Sequence, residues 1–227
     1  MLSVVDLIEA GTLDVDLAAY ALAAIGGGAS FMVGARPGGA GKTTVMGALL
    51  NFVPPAVELL AADGMTAIRG RPASPATPRC WVCHEIGRGP YYAYLWGAEL
   101  RAYFELAGAG HMLATNLHAD DYAEARQQIC GDNDVPETHL QRMNLMLFLS
   151  VRRSGLQVRR RIASVWESDG SGPHRPLLGD GAPPDGLHAS ALVGPEAMGR
   201  ARRVIDRLLA DGARTIEQVR AAVLESA

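Results

Sequence analysis

Residues 30–52 read Ser30-Phe31-Met32-Val33-Gly34-Ala35-Arg36-Pro37-Gly38-Gly39-Ala40-Gly41-Lys42-Thr43-Thr44-Val45-Met46-Gly47-Ala48-Leu49-Leu50-Asn51-Phe52. Ser30 to Gly34 is an apolar run short enough to be a buried strand, and a glycine-rich turn follows it. From about Thr43 the pattern turns helical and runs to about Phe52, where Pro54-Pro55 stop it. The order is strand, loop, helix. In such a turn small residues let successive backbone amides face an anion, while the helix N-terminus adds its positive dipole. Gly38, Gly39, Ala40 and Gly41 supply the small residues, and Lys42, Thr43 and Thr44 open the helix.

Working outward, Asp14 is placed to cap a helix over Val15–Ile25, which Gly26-Gly27-Gly28 ends. Val57–Ala61 and Arg79–Cys83 read as strands, with an exposed Pro, Gly and Arg-rich loop from Asp63 to Pro78 between them. A helix over Leu95–Ala107, a strand over His111–Asn116 and a helix from Asp120-Asp121 to Cys130 follow. Leu145–Val151 and Leu156–Trp166 are rich in apolar and β-branched residues, and Ser154-Gly155 between them predicts a hairpin. Alternating strands and helices make this an α/β chain with a core over 1–167. Positions 168–190, dominated by Gly, Pro, Asp and Ser, read as a flexible linker to a two-helix tail at 191–227. In that tail Ala201, Val204, Ile205, Leu208 and Leu209 share one helical face, and Thr215 with Gln218 forms a capping box.

The 227 residues, 48% of them apolar, suffice for one such domain and exclude a disordered chain. A net charge of -3 provides none of the basic excess that backbone binding of nucleic acid requires, so no nucleic-acid partner is expected. Three cysteines and no apparent signal peptide fit a reducing cytoplasm. The uncharged run Leu17–Ala35 is split by three glycines and reads as a helix and a strand, not a membrane span.

In the phosphate-loop pattern Lys42 reaches the β and γ phosphates of a nucleotide and the Thr43 hydroxyl coordinates magnesium, which makes ATP and Mg2+ the expected ligands. The strict pattern begins with glycine where this chain has Arg36, a side chain that either narrows the loop's mouth or turns outward. Glu85 follows the Arg79–Cys83 strand at the sheet edge where ligands gather in open α/β folds. There it either orients the attacking water or a magnesium-bound water, or is an ordinary solvated glutamate. His118, beyond the His111–Asn116 strand, falls at the same edge. Cys80 and Cys83 point to opposite faces of their strand and make no shared metal site. Arg159-Arg160-Arg161 alternate in direction on a strand, which favours a solvated hairpin face.

Asp6-Leu7-Ile8-Glu9-Ala10-Gly11-Thr12, the glycine-rich loop, Leu49–Pro55 and above all Gly110-His111-Met112-Leu113-Ala114-Thr115-Asn116-Leu117-His118-Ala119-Asp120 resemble the motor ATPases of type II and type IV secretion, particularly the archaeal-type branch that powers pili and archaella. The resemblance implies a RecA-like P-loop NTPase core with a C-terminal β-hairpin and a small helical tail. It also implies ATP hydrolysis, with Lys42, Glu85 and His118 as catalytic residues. Thr43 would hold the metal, and Asp63 would match the family's acidic box. It implies a hexamer, and a cytoplasmic or peripheral protein that meets pilus or secretion membrane subunits. Against the family's pattern, the expectation is a form without the usual N-terminal domain, with a short loop after Asp63 where the family has a longer segment and His84 where glycine is common. The first alternative is a nucleotide-binding interaction or regulatory protein with little or no hydrolysis. A small-molecule phosphotransferase is a second.

Overall fold

A computed structural model of the chain describes residues 2–36, 38–70, 78–155 and 157–225. Its elements are α1 (Val4–Glu9), α2 (Val15–Gly26), β1 (Phe31–Gly34), α3 (Lys42–Leu49), β2 (Glu58–Ala61), α4 (Met65–Gly70), β3 (Arg79–Ile86), β4 (Tyr94–Leu95), α5 (Ala98–Gly108), β5 (Met112–Leu117), α6 (Tyr122–Arg126), α7 (Glu137–Leu140), β6 (Leu145–Ser154), β7 (Gln157–Glu167), β8 (Arg175–Leu178), α8 (Pro195–Ala210) and α9 (Ile216–Glu225).

The strands form one mixed sheet in the order β2-β3-β5-β1-β6-β7-β8, with β4 also paired to β3. Pairing is parallel from β2 through β6 and antiparallel from β6 to β8. A parallel sheet must bury both faces, so its strands lack polar alternation and instead divide their apolar residues between two cores. Phe31 and Val33, Cys80, Met112 and Ala114, and Leu145 and Leu147 enter one core with α2, α3, α8 and α9. Met32, Trp81 and Cys83, Leu113, and Met146 and Phe148 enter the other, against α5. Cys80 and Cys83 thus lie on opposite faces, and burial pushes both thiols up to about 12. No cluster of metal-ligating side chains occurs among the described residues.

The helix ends follow local chemistry. Asp14 accepts the amide hydrogen of Leu17 at 2.8 Å, satisfying one free donor of α2. Thr215 and Gln218 cap α9 reciprocally, at 3.2 and 3.0 Å.

Four local readings differ from the structure. The strand expected over Arg79–Cys83 continues to Ile86, so His84 and Glu85 lie within β3; parallel pairing of Glu85 with Tyr94 of β4 prolongs it. Part of the expected loop after Asp63 is the helix α4, anchored by buried Ile68, while positions 71–77 of that loop lie outside the described residues. The helix expected from Leu95 starts at Ala98, because Leu95 is claimed by β4. The linker expected over 168–190 contains β8, which pairs with β7 and buries Leu177. Just before it, Glu167 is buried and accepts from Tyr20 Oη at 2.8 Å and the Ala191 amide at 2.8 Å, tying the segment to α2. Leu156, the expected first residue of the second hairpin strand, is also outside the described residues. No described helix is long and apolar enough to cross a membrane.

Candidate functional site

The order β2-β3-β5-β1-β6 makes β1 a switch point. The chain leaves β1 for β2 and β3 on one side, returns through β5, and passes to β6 on the other side. Ligand crevices in open α/β sheets form outside the carboxyl ends of strands at such a point. The ends of β1, β3 and β5 there carry the glycine-rich loop, Glu85 and His118.

The loop's shape depends on glycine. Gly39 has φ 73° and Gly41 φ 102°, backbone conformations that side-chain-bearing residues rarely adopt. A Cβ added at Gly38 or Gly39 would meet nothing within 4 Å, so no other part of the chain crowds the turn there. Gly41 precedes α3, whose first free amides point into the turn. The cleft has a volume of about 410 Å3 and is lined by Gly38, Gly39, Ala40, Gly41, Lys42, Thr43, Thr44, Glu85, Tyr94 and His118.

Three titratable side chains meet at its base. Lys42, buried at 7% exposure, donates from Nζ to the Ala35 carbonyl at 3.1 Å and lies 3.6 Å from Glu85 Oε2. His118 Nε2 is 3.8 Å from that same carboxylate oxygen. His118 Nδ1 is 3.3 Å from Lys42 Nζ and 3.1 Å from the Arg36 carbonyl. A carbonyl only accepts, so the tautomer protonated at Nδ1 bonds to Arg36, and the other accepts from Lys42. The Gln128 amide donates to the His118 carbonyl at 2.8 Å, and Asn116 Nδ2 donates to the His84 carbonyl at 2.9 Å, fixing the two strand ends.

Burial holds the Glu85 carboxyl above its ordinary range, opposed in turn by Lys42, His118 and His84. Its Oε1 atom is buried with no hydrogen-bond partner among the described residues. Such an oxygen fits a water aimed into the cleft, and a carboxylate titrating nearer neutrality is a better proton acceptor there. The donor set also fits a phosphate chain with magnesium. Mg2+ usually takes one or two protein oxygens and fills its other positions with water and phosphate oxygens, and the exposed Thr43 hydroxyl lines this cleft.

The structure resolves the orientation of Arg36. Its side chain turns outward to Glu124, its amide donates to Asp120 Oδ1 at 2.7 Å, and it does not line the cleft. Asp63, by contrast, lies exposed beyond the edge strand β2 and is not brought to the cleft, because β3 and β5 separate β2 from β1. Sequence reasoning missed Tyr94, which reaches the cleft through the two-residue strand β4 and carries no motif. It also missed Arg160, whose Nη2 donates to the Gly39 carbonyl at 3.4 Å. Asn116 had a usable signal: an amide ending an otherwise apolar strand needs a partner.

The chain matches no protein-family model. It is 27% identical over 188 residues to the uncharacterized protein MJ0900 of Methanocaldococcus jannaschii, a match covering 74% of this chain and 34% of that protein. The chain therefore spans about a third of that relative's length. Among solved structures it is similar to the VirB11 ATPase of the Brucella suis type IV secretion system in complex with sulphate. That superposition has a TM-score of 0.49 and 17% identity over 72% of this chain and 56% of that one. It is also similar to the ATPase DotB of Yersinia pseudotuberculosis, with a TM-score of 0.46 and 12% identity over 91% of this chain and 60% of that one.

Proposed function

We propose that this protein binds ATP at the loop Gly38–Thr44 and hydrolyses it, as a relative of the secretion and pilus motor ATPases. The observation that carries the reading is the meeting of Lys42, Glu85 and His118 within 3.3–3.8 Å at the open end of a glycine-rich phosphate loop. Loop amides and the α3 N-terminus hold the phosphate chain. Lys42 exchanges its contacts with Ala35 and Glu85 for the β and γ phosphates. The Thr43 hydroxyl would hold a magnesium ion, which would supply charge neutralisation at the phosphates. Glu85 orients the attacking water, and His118 contacts the γ phosphate from the β5 end. Phosphoryl transfer of this kind depends on positioning and charge stabilisation, which this set of groups provides. Assembly into a homo-oligomer, hexameric by analogy with the family, and contact with membrane subunits of a pilus or secretion machine belong to the same proposal.

Phosphate release from ATP and Mg2+ over a range of protein concentrations, with Lys42→Ala and Glu85→Gln alongside, tests it. Turnover that rises per molecule with concentration and disappears in both variants supports an oligomeric ATPase. Tight ATP binding without release at any concentration moves the reading to a nucleotide-dependent interaction protein.

A further inference from the structure

A concavity that the ATPase reading does not use is a groove of about 810 Å3 along the β6–β7 hairpin. Its floor is the distal half of the β6–β7 hairpin, where antiparallel pairing sets Ser150 opposite Arg161 and Arg152 opposite Arg159. Residues two apart on a strand share a face, so Arg152, Arg159 and Arg161 project together into the groove with Ala163. The sequence reading of a merely solvated hairpin face considered one strand at a time. The cross-strand register is what gathers the guanidinium groups.

Like charges directly opposite each other on a sheet are unfavourable, and this chain has acids to spare, with 24 acidic against 21 basic residues. Several exposed arginines elsewhere use them: Arg36 sits against Glu124, Arg126 against Glu137 and Arg202 against Asp206. Among the described residues Arg152, Arg159 and Arg161 have no carboxylate partner. Glu9, at the groove's wall, is engaged by Arg214. Arg160, between Arg159 and Arg161 on β7, alternates to the other face of the strand, where its Nη2 donates to the Gly39 carbonyl at 3.4 Å.

We propose that this groove is a second anion site, and that it takes a compact, free, multiply phosphorylated molecule. The volume lies in the range of small-molecule sites, roughly 300–1,000 Å3. Among the described residues the lining contains no aromatic ring on which bases could stack and, beyond Ala10, Ala163 and Leu178, no apolar side chain to anchor a peptide. Charge must therefore supply the affinity, and guanidinium groups pair bidentately with phosphate oxygens.

The test is calorimetric titration of inorganic tripolyphosphate into the full chain carrying Lys42→Ala, with and without Arg152→Ser and Arg159→Ser. Removing Lys42 weakens the phosphate loop's own claim on the probe, so the result is independent of whether the protein hydrolyses ATP. Both arginines are exposed, and replacing them relieves repulsion, so the melting temperature should hold or rise. The proposal expects one bound tripolyphosphate per chain, with affinity falling roughly 10-fold or more in the triple variant. No binding to the Lys42→Ala protein, or binding that ignores the two arginines, overturns it. Parallel arms use phosphatidylglycerol vesicles, a single-stranded oligonucleotide and a poly-glutamate peptide at physiological salt. Tighter binding to any of these through the same two arginines overturns the assignment to a free phosphorylated molecule.

Discussion

Replacing Lys42 with methionine keeps the volume of the side chain and removes the cation 3.6 Å from the buried Glu85 carboxylate. An unpaired buried carboxylate escapes by taking up a proton. The penalty at pH 7 is therefore capped near the work of protonating a glutamate there. From its ordinary value of 4.5 that work is about 3.4 kcal/mol, at 1.36 kcal/mol per pH unit. Loss of the Lys42 bond to the Ala35 carbonyl adds about 1 kcal/mol that does not depend on pH. The Glu85 carboxyl is already raised by burial, and removing Lys42 takes away the largest opposing influence and raises it further. A carboxyl whose folded value is raised stabilises the fold below its unfolded value and loses that contribution as pH rises through the folded value. The variant therefore loses more than the native chain between pH 5 and 7. Urea unfolding should show Lys42→Met less stable by up to about 4 kcal/mol at pH 7 and by less than about 2 kcal/mol at pH 5. Adding Glu85→Gln to Lys42→Met should remove the pH dependence of the difference. A Lys42→Met deficit constant to within about 0.5 kcal/mol from pH 5 to 7 would refute the buried pair.

Gly41→Ala forces a side chain into a backbone with φ 102° and brings Cβ within 3.3 Å of Arg160 Cδ. It should cost about 1–3 kcal/mol of stability and weaken ATP binding, read by thermal melts and by titration of nucleotide; a fully native melt with unchanged binding contradicts the loop geometry. His174 is buried, with Nε2 donating to the Met143 carbonyl at 2.7 Å, and burial lowers its pKa below the ordinary 6.5. Its contribution is present above about pH 6.5 and is lost as pH falls through the folded value, because the unfolded chain takes up the proton first. The slope is up to about 1.4 kcal/mol per pH unit, and His174→Gln should flatten the stability profile between pH 6.5 and 5.5.

The α/β class and the glycine-rich turn between β1 and α3 were legible because each rests on a local pattern. An apolar run, a cluster of glycines and a helix opening with Lys42-Thr43-Thr44 need no distant partner to be read. His118 was placed at the same edge as Lys42 because a strand of known direction fixes which end its last residue occupies. What sequence could not supply were facts set by pairing. β3 extends through Glu85 because β4 exists to pair with it, and β4 is two residues long. Leu177 lies in a stretch that composition marks as linker, yet it is buried because β7 offers a free edge. The outward turn of Arg36 depends on Glu124, 88 residues away. The basic face of the hairpin depends on the register that puts Arg152 across from Arg159.

The most direct measurement is equilibrium binding of ATP, with and without Mg2+, to the native chain and to Lys42→Ala. Loss of a charge-assisted contact at the phosphates is expected to weaken binding by roughly 10-fold or more, and removal of Mg2+ should weaken binding to the native chain. Equal affinity of both proteins for ATP, unaffected by Mg2+, would contradict the assignment of the loop Gly38–Thr44 as the phosphate site.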